Sequence, residues 1–302
     1  MTFISLDFFI FLSVFVPLYF LLQGKYRILF CLAGSYFFYA WWDWRFLSLL
    51  IISTVTDYVI ARLMELNQGR FNRLLLIVSI SINLGILGVF KYFNFFYESF
   101  SALVNNMGFG VSPITLNLIL PLGISFYTFQ TMSYTIDVYR KKLDVEKNFF
   151  IFAAYVSLFP QLVAGPIVRA KALLPQLRTS HSFDCTRIIR GLEMMVWGFF
   201  LKLCVADRLA LVVDPPFENP EAFGGAAHIT AIFGFGFQIY ADFAGYSLIA
   251  IGLGLALGYH FGLNFRRPYL SASFSEFWER WHISLSSWLR DYIYIPLGGN
   301  RV

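Results

Sequence analysis

The chain has 302 residues, of which 58% are hydrophobic, 20% aromatic and 14% charged. Soluble domains carry about 25% charged residues, and a mean hydropathy of +0.64 leaves too little polar surface for a water-facing globule, so lipid must solvate much of this chain. The net charge of +5 sits mostly in short loops, as the positive-inside rule expects, which argues against nucleic acid as a partner.

A membrane-spanning helix needs about 20 mostly apolar residues. The sequence predicts an all-α polytopic membrane protein, one transmembrane domain over residues 1–302. About eight membrane segments are expected, near 3–22, 28–42, 46–63, 74–93, 114–138, 149–165, 188–212 and 228–259. The opening stretch "MTFISLDFFIFLSVFVPLYFLLQGKYR" lacks the basic start and small-residue cleavage site of a signal peptide. Lys25 and Arg27 follow its apolar run, which places the N-terminus outside.

Loop charge alternates from there. Arg70 and Arg73 lie in one loop, and Arg140, Lys141, Lys142 and Lys147 in another. Arg169, Lys171, Arg178, Arg187 and Arg190 follow. Between these, "WWDWR" has one arginine, and the loop with Asp214, Glu218 and Glu221 is acidic. One step breaks the pattern, because two basic stretches flank the apolar residues 149–168. Pro160, Gly165 and Pro166 oppose a straight helix there. A re-entrant element satisfies the charges, and broken backbone at membrane depth requires protein or a cavity around it. An ordinary helix–loop–helix that violates the charge rule is the alternative. The 228–259 segment is too long for a simple span and predicts a helix kinked near Asp242–Gly245; its glycines also suit close helix packing.

Ionisable residues inside apolar segments are costly, so each is a candidate. These are Asp57, Asp137, Glu193, Lys202, Asp207, Arg208 and Asp242. Asp242, in "QIYADFAGYS" beside Gln238 and Tyr240, either lines a cavity or joins a structural network. His181, His228 and His260 read as loop or interfacial residues. Neither they nor Cys31, Cys185 and Cys204 have metal-ligand spacing, so no metal site is expected.

The stretch "SFSEFWERWHISLSSWLR" differs. Ser273 and Glu276 form a capping-box pattern. Phe274, Phe277, Trp278, Trp281, Leu285, Trp288 and Leu289 share one helical stripe with His282 at its edge. The spacing predicts one short amphipathic helix at the inner interface. Glu279, one turn before His282, is placed to orient or protonate the ring, and Glu276 pairs with Arg280. An imidazole there can exchange a proton near neutral pH. The alternative is an aromatic belt with an incidental histidine.

"PLGISFYTFQTMSYTIDVYR", "LFPQLVAGPIVRA" and "RRPYLSASFSEFWERWHISLSSWLRDYIYIPLGGNR" closely resemble the membrane-bound O-acyltransferase family. The nearest likeness is to its bacterial branch of alginate O-acetylation proteins; teichoic acid D-alanyl transfer proteins are more distant. The resemblance implies transfer of an acyl group from a cytoplasmic thioester, acetyl-CoA or an acyl-carrier protein, to hydroxyls of an exported polysaccharide. It implies a lipid-embedded protein of the bacterial cytoplasmic membrane, with periplasmic acetyltransferase partners and no bound cofactor. Two histidines mark the family. The first matches His282; the second lies beyond the "PLGGNR" block and has no counterpart here, so the resemblance implies a site incomplete at the C-terminus and inactive alone. Ala244 and Leu248 stand where relatives commonly carry a serine and an acidic residue, which leaves substrate specificity open. Arg266, Arg267 and Arg280 are either donor-phosphate contacts or ordinary inside charge. A transporter or channel, or a scaffolding fragment, is the rival reading.

Overall fold

A computed structural model describes residues 1–67, 69–108, 120–162 and 165–300, and every regular element among them is helical. Helix α1 (Leu6–Leu21) begins where the Ser5 hydroxyl accepts from the Phe8 amide. Helices α2 (Gly24–Asp43) and α3 (Leu47–Leu66) meet at Asp43, whose extended backbone and capping carboxylate open a tight turn over Trp44–Phe46. Helix α4 (Arg70–Leu87) passes through a π turn at Gly88–Tyr92 into α5 (Phe93–Asn106). Helix α6 (Ile124–Tyr139) follows; the start of the predicted 114–138 segment lies outside the described residues. Next come α7 (Phe149–Ser157), the single turn α8 (Phe159–Leu162) and α9 (Ala170–Arg178). Helix α10 (Cys185–Phe199) joins α11 (Asp207–Glu218) through a π stretch at Phe200–Ala206. Helix α12 (Gly225–Leu257) precedes the short α13 (Phe274–Arg280) and α14 (Ile283–Leu289). Gly24–Leu66, Arg70–Asn106 and Gly225–Leu257 are long and apolar enough to cross a membrane, and Leu6–Leu21 is a shorter apolar helix. The protein is a multi-pass membrane protein.

Helix α6 is the centre, buried along most of its length although it carries Thr128, Gln130, Thr131, Ser133 and Thr135. Helices α3 and α4 pack on it, and their polar groups meet. Asp57 is 0% exposed. Its carboxylate accepts from Ser79 Oγ at 2.5 Å and Asn83 Nδ2 at 2.8 Å, and Asn83 Oδ1 accepts from Ser53 at 2.7 Å and Thr131 at 3.3 Å. These bonds tie three helices together and satisfy groups that hydrocarbon cannot. Asp57 thus has a packing role.

The predicted break in the 149–165 segment is present. The backbone leaves the helix at Leu158 (φ −54, ψ 110), and residues 151–162 are buried. The freed carbonyl of Tyr155 accepts from Gln130 Nε2 at 2.8 Å and Gln161 Nε2 at 2.7 Å. The Phe159 amide donates to Ser35 Oγ at 3.1 Å. Val163 and Ala164 of this motif lie outside the described residues.

Two expectations need revision. Helix α12 runs unbroken through Asp242–Gly245, and its glycines serve approach instead. Gly191 of α10 lies against Gly252 and Gly198 against Gly245, so close that a Cβ on Gly252 would stand 2.4 Å from the Gly191 carbonyl oxygen. The pairs run in opposite order, so α10 and α12 are antiparallel. The predicted helix through His282 is also broken, at His282 itself. The capping interaction at its start holds, with the Glu276 amide donating to Ser273 Oγ at 3.2 Å.

Candidate functional site

The break between α13 and α14 builds the site. Trp281 is extended (φ −99, ψ 127) and His282 is left-handed (φ 42, ψ 53). A left-handed backbone costs a side-chain-bearing residue about 1–2 kcal/mol, so the surroundings must impose it. They do so through the irregular segment at Asn264–Arg266. The Arg266 amide donates to the Arg280 carbonyl at 2.9 Å, and the Ile283 amide to the Asn264 carbonyl at 2.9 Å. Asn264 is 1% exposed. Its Oδ1 accepts from the Ser284 hydroxyl at 2.9 Å and the Ser284 amide at 3.3 Å, while its Nδ2 donates to Ser247 Oγ of α12 at 3.1 Å. Trp288 then fixes α14 on α6, its Nε1 donating to the Phe129 carbonyl at 2.9 Å.

The His282 ring meets the edge of Phe243 at 4.6 Å, with Phe126 and Phe265 each at 6.4 Å. Its Nε2 is buried with no hydrogen-bond partner among the described residues. Burial pulls its pKa down to about 4. At neutral pH the ring is therefore uncharged and can accept a proton. Beside this turn lies a groove of about 950 Å³ whose lining includes Glu279, Ile283, Ser286, Ser287 and Arg290.

The predicted companions of His282 divide between two faces of α12. Residues two apart on a helix point to nearly opposite sides. Tyr240 packs on Phe265, Tyr269 and Trp281 at 5.5–6.2 Å, on the His282 side. Gln238 and Asp242 face α11 and the π stretch instead. Gln238 Nε2 donates to Asp214 at 3.2 Å, and Lys202 Nζ bridges Asp242 at 2.5 Å and Asp207 at 2.8 Å. The cavity expected around Gln238, Tyr240 and Asp242 together is thus two separate environments.

Glu279 is exposed and is not the partner of His282 Nε2, because the break at Trp281–His282 removes the helical register that would align them. Arg280 pairs with Glu276, as the spacing predicts. Arg266 is exposed, and Arg267 takes a left-handed backbone (φ 47) at the start of the turn Pro268–Leu270. The aromatic stripe does not bury as one face: Trp288 is 2% exposed but Phe274 is 88% exposed. Asn264 was not singled out by sequence reasoning. Nothing in its spacing marks it, since its partners lie 17 to 20 residues away.

Residues 140–302 match the family model of MBOAT, the membrane-bound O-acyltransferase family. The chain is 44% identical over 302 residues to the probable alginate O-acetylase AlgI of Pseudomonas putida, covering 97% of this chain and 60% of that protein. It is 45% identical over 302 residues to the protein of that name from Pseudomonas aeruginosa, covering 97% and 56%. It is 34% identical over 329 residues to the peptidoglycan O-acetyltransferase of Helicobacter pylori, covering 97% and 62%. The chain thus spans between about half and two thirds of the length of these relatives.

Proposed function

The chain belongs to the membrane-bound O-acyltransferase family, and from that membership we propose that it forms the His282-bearing part of an enzyme that acetylates an exported polysaccharide in the bacterial cytoplasmic membrane. The donor is a thioester on the cytoplasmic side, acetyl-CoA or an acyl-carrier protein, and the acceptor is a sugar hydroxyl. Periplasmic acetyltransferase partners would complete the pathway. The polysaccharide acceptor rests on the names of the relatives, which act on alginate or peptidoglycan.

One observation carries the reading: a neutral histidine whose Nε2 is left unpartnered inside a clamped turn. A sugar hydroxyl is a weak nucleophile. It attacks the thioester carbonyl as a base takes its proton, and the thiolate leaves. His282 can accept such a proton without first losing one. The test is to fuse residues 1–302 at Val302 to the remaining C-terminal part of the Pseudomonas putida relative. Expressed in a strain lacking its native acetylase, the fusion should restore ester-linked acetate on the exported polymer. Well-inserted fusion with no recovered acetate would overturn the reading.

We also propose eight membrane segments with the N-terminus outside, 149–165 being re-entrant from the inside. Support comes from the broken backbone at Leu158, enclosed by protein as such backbone must be, and from the alternation of basic loops. With Cys185 and Cys204 replaced, Asp144→Cys should resist an impermeant thiol reagent on intact cells and Asn219→Cys should react. The reverse pattern would rule out this orientation.

A further inference from the structure

A second cavity lies apart from the His282 turn. It has a volume of about 530 Å³, and Arg140, Lys142, Arg169 and Lys171 supply its cations. Asp137 and Asp291 are its only carboxylates among the described lining residues, leaving a surplus of two positive charges. The cations arrive from two separated chain segments, the end of α6 and the start of α9, and close on the stretch Asp291–Pro296. Inside charge alone accounts for basic loops, but not for their convergence on one concavity.

The arginines are already fixed. Both guanidinium groups stack on the Tyr292 ring, Arg169 at 5.2 Å and Arg140 at 5.6 Å from its centre. Arg169 pairs with Asp291 at 2.6 Å, and Arg140 Nη1 donates to the Asp291 carbonyl at 3.1 Å. The Tyr292 hydroxyl in turn donates to Asp137 at 2.8 Å. Lys142 and Lys171 are exposed and have no ion-pair partner among the described residues. Lys171 also sits in the first turn of α9, where the helix dipole disfavours a cation, and no side chain caps that helix start. An anion in the cavity would answer both the surplus charge and the misplaced lysine. Planar arginine forks held in place beside lysines are the chemistry of phosphate recognition.

We propose that this cavity binds a phosphate group, carried either by a soluble phosphate compound or by the headgroup of an anionic phospholipid. The two sources are separable. The chain is reconstituted in phosphatidylcholine nanodiscs and titrated calorimetrically with inorganic pyrophosphate. In parallel, retention of phosphatidylglycerol from mixed-lipid discs is measured by native mass spectrometry. Saturable pyrophosphate binding identifies a soluble source; selective phosphatidylglycerol retention identifies the lipid. In either case the paired change Lys142→Gln and Lys171→Gln should weaken binding by roughly tenfold or more. The paired change Lys25→Gln and Arg70→Gln, which removes equal charge from exposed positions outside the cavity, should leave it unchanged. Thermal unfolding confirms that both variants fold. If neither probe binds, or if both paired variants weaken binding alike, the cavity is ordinary inside charge and the proposal fails. The result does not depend on acyl transfer, since binding itself is read.

Discussion

Gly252→Leu should leave almost no folded protein. A Cβ at this position would stand 2.4 Å from the Gly191 carbonyl oxygen, 2.9 Å from Met195 Cγ and 3.0 Å from Met194 Cβ. The nearest of these is backbone, which cannot swing aside, so α10 and α12 would have to separate. The contact repeats at Gly198 and Gly245, where added Cβ atoms would stand 2.6 Å and 2.8 Å from the facing carbonyl oxygens. One wedge therefore opens both contacts. Overpacking in a core that can adjust costs about 1–3 kcal/mol, and this site cannot adjust. In lipid the two helices gain little from apolar burial, so close backbone contact is a main source of their association. Gly85 offers the control, because a Cβ there meets nothing within 4 Å. Thermal unfolding in detergent should show Gly85→Ala close to the parent and Gly252→Leu unfolded or aggregated. A Gly252→Leu protein melting with the parent would mean that this interface does not hold the fold.

The membrane class and the break near Pro160 are legible in the sequence because they depend on composition and on residues with fixed backbone preferences. Proline and glycine act locally. The glycines of α12 suit either a kink or close packing in the sequence, and the structure shows the packing. Whether Gly245 bends a helix or admits a neighbour depends on what faces it, and that neighbour is Gly198, 47 positions earlier. The sequence singles out His282, and the arrangement around that residue differs from what its spacing predicts. Periodicity joined α13 and α14 into one helix because the apolar spacing of Phe274 through Leu289 continues across the break. The left-handed turn at His282 is imposed from outside by Asn264 and α12, so no local signal records it. Tyr240 and Asp242 stand two apart in sequence, and the helix sends them to different faces.

His282→Ala in the fusion with the Pseudomonas putida C-terminal part should lower acetate transfer by at least tenfold, the general-base contribution being about 10²–10⁴-fold. Insertion should stay normal, since the ring makes aromatic contacts but its Nε2 bonds to nothing among the described residues. The ring's titration gives an independent reading. Burial depresses its pKa to about 4 from the ordinary 6.5, so the folded state disfavours the proton. Stability linked to this group is complete above about pH 6.5 and is lost as pH falls toward 4, because the unfolded chain takes up the proton first. Ring NMR signals should accordingly report a neutral imidazole at pH 5.5; a charged ring there would mean that burial does not depress its pKa. Asn264→Ala separates chemistry from positioning. It deletes the bonds to Ser284 and Ser247 while leaving the imidazole in place, so transfer should fall and the ring should titrate nearer its ordinary value as the turn loosens. Adding His282→Ala to Asn264→Ala should then cost less than it does alone, because both changes act on one proton-transfer geometry. Full additivity would mean that Asn264 holds the fold but not the histidine. Undiminished transfer by His282→Ala would reduce His282 to an aromatic-cluster residue and move the base elsewhere in the enzyme.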